Sequence, residues 1–224
     1  MYKNVYIIIP AKDEEPRIGI VLREILTLGF DHIIVVDDGS TDSTAQVVQG
    51  TGAILLTHMI NLGAGAATQT GITYALNHGA EVIVTLDGDA QHSPKDIPRL
   101  VGILADEDLD VVIGSRFIQS QDGIPINRVL FNRVANLFTF LYTGVLMTDS
   151  QSGFKVMHRR FASQVNILFN GFEFCTEFVN LMKRRSAKYK EIPIHVRYSR
   201  ETLQKGQSLL NGFRMVLSFL RRGL

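Results

Sequence analysis

The sequence predicts an α/β fold built on a doubly wound, mostly parallel central sheet flanked by helices, and three observations predict it. Short apolar runs recur along the first half of the chain, and such runs suit strands buried on both faces. Between them lie segments whose apolar residues repeat at helical spacing. Polar clusters fall where the runs end, and open α/β sheets bind ligands outside the carboxyl ends of their strands.

The elements follow in order. Val5–Ile9 is the first strand and stops at Pro10. Residues 15–28 form a helix with Ile18, Val21, Leu22, Ile25 and Leu26 on one face, closed by Gly29. Ile33–Val36 is the second strand and runs into Asp37-Asp38-Gly39-Ser40. Thr41–Gln49 is the second helix and Ala53–Leu56 the third strand. Asn61-Leu62-Gly63-Ala64-Gly65 is a glycine-rich loop that opens a helix through Leu76. Val82–Leu86 is the fourth strand and ends at Asp87-Gly88-Asp89. Residues 94–104 are helical, and Val111–Ser115 is a fifth strand leading to Arg116. This alternation of strand and helix is the pattern of a parallel sheet.

The remainder is less regular. Residues 128–147 read as a long apolar helix, Asp149–Lys155 as a loop, and 158–169 and 173–185 as helices. Ile192–Val196 reads as a strand that Pro193 places near an edge. Residues 207–222 form a last helix. With no repeat and no low-complexity linker, 1–224 is expected to be one domain.

Composition narrows the function. The hydrophobic fraction of 46% supports a real core, and a net charge of +1 argues against a nucleic-acid-binding surface. Cys175 is alone, so no intrachain disulfide forms, and a cytoplasmic location is expected. Val134–Met147 is too short and mixed to span a bilayer, which needs about 20 residues. The chain is therefore expected to be soluble or peripheral.

Asp87 and Asp89, one residue apart past a buried strand, suit a shared Mg²⁺ or Mn²⁺ that also holds substrate phosphates. The alternative is a plain Asp-Gly turn. Asp37-Asp38 needs a compensating partner, and Ser40, Thr41 or Asp42 can also cap the helix that follows. Gly63-Ala64-Gly65 permits close backbone approach but lacks the Lys and Ser/Thr of a P-loop.

Six motifs in order carry a resemblance: Ile9-Pro10-Ala11-Lys12-Asp13-Glu14-Glu15, Val36-Asp37-Asp38-Gly39-Ser40-Thr41-Asp42, Asn61-Leu62-Gly63-Ala64-Gly65-Ala66, Leu86-Asp87-Gly88-Asp89-Ala90-Gln91-His92, Gly114-Ser115-Arg116-Phe117 and Asp149-Ser150-Gln151-Ser152-Gly153-Phe154-Lys155. Over nearly its whole length the chain resembles family 2 glycosyltransferases of the GT-A fold, especially dolichol- and polyprenyl-phosphate sugar synthases and related cell-envelope transferases.

The resemblance implies a nucleotide-sugar-binding half, 1–116, and an acceptor-side half, 117–224. It implies Pro10, Ala11, Glu14 and Asp38 at the nucleoside and Gly65 at the donor loop. Asp87, Asp89 and Gln91 would hold the metal and diphosphate. Arg116 and Arg128 would face an acceptor phosphate, as the arginine fork suits. Asp149 is implied as a base or positioning group, so Asp89, Asp149 and Arg116 form the expected catalytic set. Tyr198–Ser208 resembles a donor-closing loop whose Arg200 or Lys205 neutralises diphosphate, or else is an exposed basic loop. Two departures, Lys12-Asp13 for an aromatic and Asn, and Ala64 for a basic residue, touch the donor side.

The expected reaction is inverting transfer to a polyprenyl phosphate at the inner membrane face, with a glycan hydroxyl as the alternative acceptor. A non-catalytic nucleotide-sugar-binding subunit is the alternative of another class. A nucleotidyltransferase is disfavoured because residues 10–15 contain no glycine. The apolar face of 207–222 suits a membrane interface, the chain's own core, a homodimer or a membrane-protein partner.

Overall fold

The computed structural model describes residues 4–119 and 124–197. The donor-closing loop with Arg200 and Lys205, and the helix expected over 207–222, lie outside the described residues.

Seven strands form one sheet: β1 (Val5–Ala11), β2 (His32–Asp37), β3 (Ile54–Thr57), β4 (Val82–Thr85), β5 (Val111–Ser115), β6 (Lys155–His158) and β7 (Tyr189–Pro193). Their order is β3-β2-β1-β4-β6-β5-β7. All pairings are parallel except those of β6, which runs antiparallel to both β4 and β5. The helices are α1 (Glu15–Leu26), α2 (Thr44–Gln49), α3 (Ala64–Asn77), α4 (Ile97–Asp106), α5 (Ile126–Thr143), α6 (Arg159–Ala162) and α7 (Phe174–Arg184).

Side chains alternate across β1, and this divides the core. Ile7 and Ile9 pack with Ile18, Leu22 and Ile25 of α1 and Leu100 and Leu104 of α4. Tyr6 and Ile8 face the opposite layer, with Ile72 and Ala75 of α3 and Phe178 and Met182 of α7. Each fully buried Ile contributes about 1.5–3 kcal/mol. A Cβ at Gly71 would lie 2.3 Å from Ile8 Cγ2, so glycine sets how closely α3 lies on the sheet.

Several boundaries differ from the sequence reading. The helix expected over 128–147 ends at Thr143, because Gly144 turns left-handed at φ 72°. The helix expected over 158–169 is only Arg159–Ala162. The edge strand spans 189–193 rather than 192–196, with Val196 retained only in an isolated bridge to His92. The sequence reading missed β6 altogether. Lys155 and His158 interrupt its apolar pattern, yet Lys155 is buried, with Nζ donating to Ser152 O and lying 5.4 Å from the Phe174 and Phe178 rings. Among the described residues no helix is long and apolar enough to cross a membrane.

Candidate active site

The loops after β1, β2, β4 and β5 meet along one rim, as the polar clusters imply. Pro10 and Ala11 end β1, and Ala11 O accepts the Asp38 N–H at 2.8 Å. Asp38 is buried and committed to the loop before α3. Its Oδ1 accepts from Leu62 N at 2.8 Å and lies 2.7 Å from His58 Nδ1, and its Oδ2 accepts from Gly63 N at 2.7 Å. His58 Nε2 is 3.0 Å from Thr70 Oγ1, so an Asp38–His58–Thr70 chain ties this loop to α3.

Neighbouring carboxylates are also engaged with loop backbone. Asp37 Oδ1 accepts from Ser40 N at 3.0 Å and Asp13 Oδ1 from Thr41 N at 2.7 Å. Asp42 accepts from Glu15 N at 3.1 Å and Thr44 N at 3.0 Å, and Glu15 accepts from Ser43 N at 3.0 Å. Lys12 Nζ donates to Gly39 O at 2.8 Å. The Lys12-Asp13 departure therefore clasps the β1–α1 loop to the β2–α2 loop. Glu14 Oε2 accepts from Arg17 Nε at 2.6 Å.

Gly65 stands against the chain's own backbone. Its N–H donates to Asn170 O at 2.7 Å, and a Cβ there would stand 2.0 Å from Phe169 O. The glycine admits the Phe169–Asn170 backbone, which fills the space assigned to a ligand.

The β4 rim differs in kind. Asp89 accepts from Gln91 N at 3.0 Å and Gln91 Nε2 at 2.6 Å. Gln91 is thus brought to the expected metal pair as the donor that orients Asp89. Asp87 accepts no hydrogen bond among the described residues, and 48% of its side-chain surface opens to solvent. The protein packed around its base still desolvates the Asp87 carboxyl and raises it above its ordinary range, against the lowering pull of Lys155 and Arg116. Burial, then repulsion from Asp87, raises Asp89. Two adjacent oxygen donors that repel each other fit a hard divalent cation. Among the described residues no group of three or more His, Cys, Asp or Glu side chains assembles, so substrate oxygens and water would complete such a site.

Asp149 has no exposed side-chain surface. Arg116 donates to it three times: N to Oδ2 at 3.1 Å, Nε to Oδ2 at 2.7 Å and Nη2 to Oδ1 at 2.7 Å. Glu191 of β7 accepts from Thr148 N at 2.8 Å and Asp149 N at 3.0 Å, fixing the loop. Both oxygens of Asp149 are engaged by one arginine and the side chain has no exposed surface, an arrangement that suits holding Arg116 in place. Of its two expected roles, positioning is the one this geometry matches. Arg128 sits in the first turn of α5, four residues before Asn132, whose Nδ2 donates to Thr148 O at 2.9 Å.

The sequence reading gave no role to His92, Gly153 or Lys155. His92 is buried, its ring is 5.9 Å from that of Phe154, and its Nδ1 lies 3.5 Å from Asp87 Oδ2. Burial, then the Arg116 charge, lowers the imidazole to about 4, so it is neutral. A Cβ at Gly153 would fall 2.2 Å from Asp87 Oδ1. All three residues stand in motifs already singled out, but one sequence cannot show which motif residues line a site.

The sequence pattern of glycosyl transferase family 2 matches residues 6–165. An uncharacterized protein of Methanocaldococcus jannaschii is 33% identical over 221 residues, covering 97% of this chain and 91% of that relative. The UDP-N-acetylglucosamine–dolichyl-phosphate N-acetylglucosaminyltransferase of Methanococcus voltae is 29% identical over 239 residues, covering 97% and 95%. The polyprenol monophosphomannose synthase of Mycolicibacterium smegmatis is 26% identical over 174 residues, covering 74% and 65%. Among solved structures, glucosyl-3-phosphoglycerate synthase from Mycobacterium tuberculosis in complex with Mg²⁺ and uridine diphosphate aligns at a TM-score of 0.69 and 20% identity, covering 93% of this chain and 74% of that one. That last likeness carries the fold alone. With the rim geometry and the family pattern agreeing, the chain belongs to glycosyl transferase family 2.

Proposed function

We propose that this enzyme transfers a sugar from a nucleotide-sugar donor to a polyprenyl phosphate at a membrane surface, in one metal-dependent displacement that inverts the anomeric centre. The relatives from Methanococcus voltae and Mycolicibacterium smegmatis, named for dolichyl-phosphate and polyprenol substrates, support the acceptor class.

The observation that carries the choice of acceptor is Asp149. A sugar hydroxyl must lose a proton to attack, and needs a base within reach. Asp149 is closed by the Arg116 fork. A lipid phosphate arrives already anionic and needs no such base. Arg116, held in place by Asp149, and Arg128 on α5 supply positive charge on the acceptor side, a role in which guanidinium is well suited to phosphate.

On the donor side, Pro10, Ala11, Glu14 and Asp38 form the nucleoside end of the rim. Asp87 and Asp89 hold Mg²⁺ or Mn²⁺, with Gln91 orienting Asp89. The bound cation supplies neutralisation of the charge that gathers on the departing diphosphate.

The polarity of α5 supports action at a membrane. The helix buries a mixed face, with Val129 and Ala135 beside polar residues, and exposes an apolar one. Asn132, Thr139 and Thr143 are buried, whereas Ile126, Leu130, Val134, Leu137 and Leu141 are exposed at helical spacing, with Arg133 in the same stripe. Asn132 and Asn136 both donate to Thr148 O, at 2.9 and 2.8 Å, so the polar face is stitched to the Asp149 loop. The opposite, apolar face suits the boundary between headgroups and acyl chains.

The test is nucleoside diphosphate release from a panel of nucleotide sugars, with Mn²⁺ or Mg²⁺, and with dolichyl phosphate in detergent or a soluble glycan as acceptor. Release that requires both the cation and the lipid phosphate is the expected result. Release driven by the glycan and not by the lipid contradicts the proposal.

A further inference from the structure

We propose that His92 is a positioning residue for Asp87: its Nδ1–H closes onto Asp87 Oδ2 and holds the carboxylate with its other oxygen toward the divalent cation. The proposal rests on the reading that Asp87 and Asp89 bind that cation.

The observation behind it is a matched pair of unmet needs. His92 Nδ1 is a buried polar atom without a hydrogen-bond partner, in a side chain only 2% exposed. Leaving such an atom unpaired is unfavourable. Asp87 is the rim carboxylate that accepts no hydrogen bond among the described residues. The orphan nitrogen and the unserved oxygen face each other at 3.5 Å. That is roughly half an ångström beyond a normal N–H···O bond.

The ring is not free to close the gap. The backbone around it is pinned from the β7 side: His92 bridges Val196, Ser93 N donates to His195 O at 3.2 Å, and Arg197 N donates to Gln91 O at 2.8 Å. The ring itself rests against Phe154. The mobile partner is therefore the carboxylate. Gly153 stands close against the same carboxylate, where a Cβ would fall 2.2 Å from Oδ1 and 2.3 Å from Oδ2. Asp87 is thus closely approached by backbone and faces a donor that lacks a partner. Outer partners of this kind orient metal-binding carboxylates, and their loss typically costs 10–100-fold in metal affinity.

The experiment is calorimetric titration of Mn²⁺ into the full chain with UDP present, with melting midpoints recorded alongside. It compares the wild type with Asp89→Ala, His92→Phe and His92→Asn. Asparagine places an amide Nδ2–H near the position of Nδ1, whereas phenylalanine fills the space without a donor. The expected result is a loss of about 10–100-fold in Mn²⁺ affinity for His92→Phe and recovery of most of it in His92→Asn. Wild-type affinity in His92→Phe overturns the proposal. So does His92→Asn binding as weakly as His92→Phe while both melt like the wild type. Those outcomes leave the metal reading standing if Asp89→Ala weakens binding. A wild type that does not bind Mn²⁺, with Asp89→Ala unchanged, overturns the metal reading and this proposal with it.

Discussion

The carboxylates after β1 and β2 and those after β4 share one rim but have different occupations. On the β1–β2 side, Asp13, Asp37, Asp38 and Asp42 all accept backbone N–H groups and build the loops that carry them. On the β4 side, among the described residues, Asp87 accepts none and Asp89 is served by Gln91. Acidic residues that look alike in sequence are thus of two kinds, those engaged by loop backbone and those proposed to hold the metal. Ionisation differs between Asp13 and Asp42 on one side and Asp87 and Asp89 on the other. The Thr41 N–H lowers the Asp13 carboxyl, and the bonds from Thr44 and Glu15 outweigh burial to lower that of Asp42. Asp87 and Asp89 are raised, chiefly by burial.

The largest effect is expected at the most committed acid. Asp149→Ala leaves the Arg116 guanidinium without its partner in a site where only 15% of that side chain is exposed. Breaking a buried pair from one side costs about 3–5 kcal/mol, read by denaturant unfolding. An unchanged midpoint would mean that this pair does not hold the β5 rim. Next is Asp38→Ala, which strands the Leu62 and Gly63 N–H groups and His58. The expected loss is about 2–3 kcal/mol, together with faster amide exchange in residues 58–63.

Gly153→Ala probes the uncommitted acid. The added methyl meets the end of a side chain rather than backbone, so Asp87 swings aside at little cost in stability. Sugar transfer should drop about 10–100-fold, roughly 1.4–2.7 kcal/mol, with the melting midpoint nearly constant. Parallel loss of stability and activity would erase the distinction between the two kinds of carboxylate.

The smallest effect is in the pH dependence of stability, where the two groups have opposite sign. Asp42 has its folded value below the ordinary 3.8, so its contribution is present above that value and is lost as pH falls through the folded one. Asp42→Asn should flatten part of the acid-unfolding curve below about pH 4. Asp87 and Asp89 have raised folded values, so without metal they favour the folded state less as pH rises through those values. Asp87→Asn should therefore raise the metal-free melting midpoint near neutral pH while it removes function, as is common where a site is built at the expense of stability.

The sheet was legible because β1, β2, β4 and β5 are continuous apolar runs buried on both faces. The rim was legible because each run ends in polar residues. β6 was not, since a buried lysine held by two aromatic rings gives no apolar signal. The close approach of the Phe169–Asn170 backbone to Gly65 was not legible, because a glycine that admits a ligand and one that admits backbone look the same in sequence. Asp149 was singled out as a base or positioning group, but its bonds to Arg116, a pairing across 33 positions, are encoded by no local pattern. Which acids are committed depends on loop contacts of that long-range kind.

The most direct test compares Asp87→Asn with Asp38→Asn in Mn²⁺-dependent sugar transfer to dolichyl phosphate, each rate corrected for the folded fraction. Asp87→Asn should lose about 10³-fold, since a cation at the leaving group is worth several kcal/mol, and excess Mn²⁺ should not restore it. Asp38→Asn, once corrected for folding, should lose far less. Transfer by Asp87→Asn at the wild-type rate, or an equal loss in both variants, would contradict the assignment of Asp87 as the carboxylate reserved for the metal.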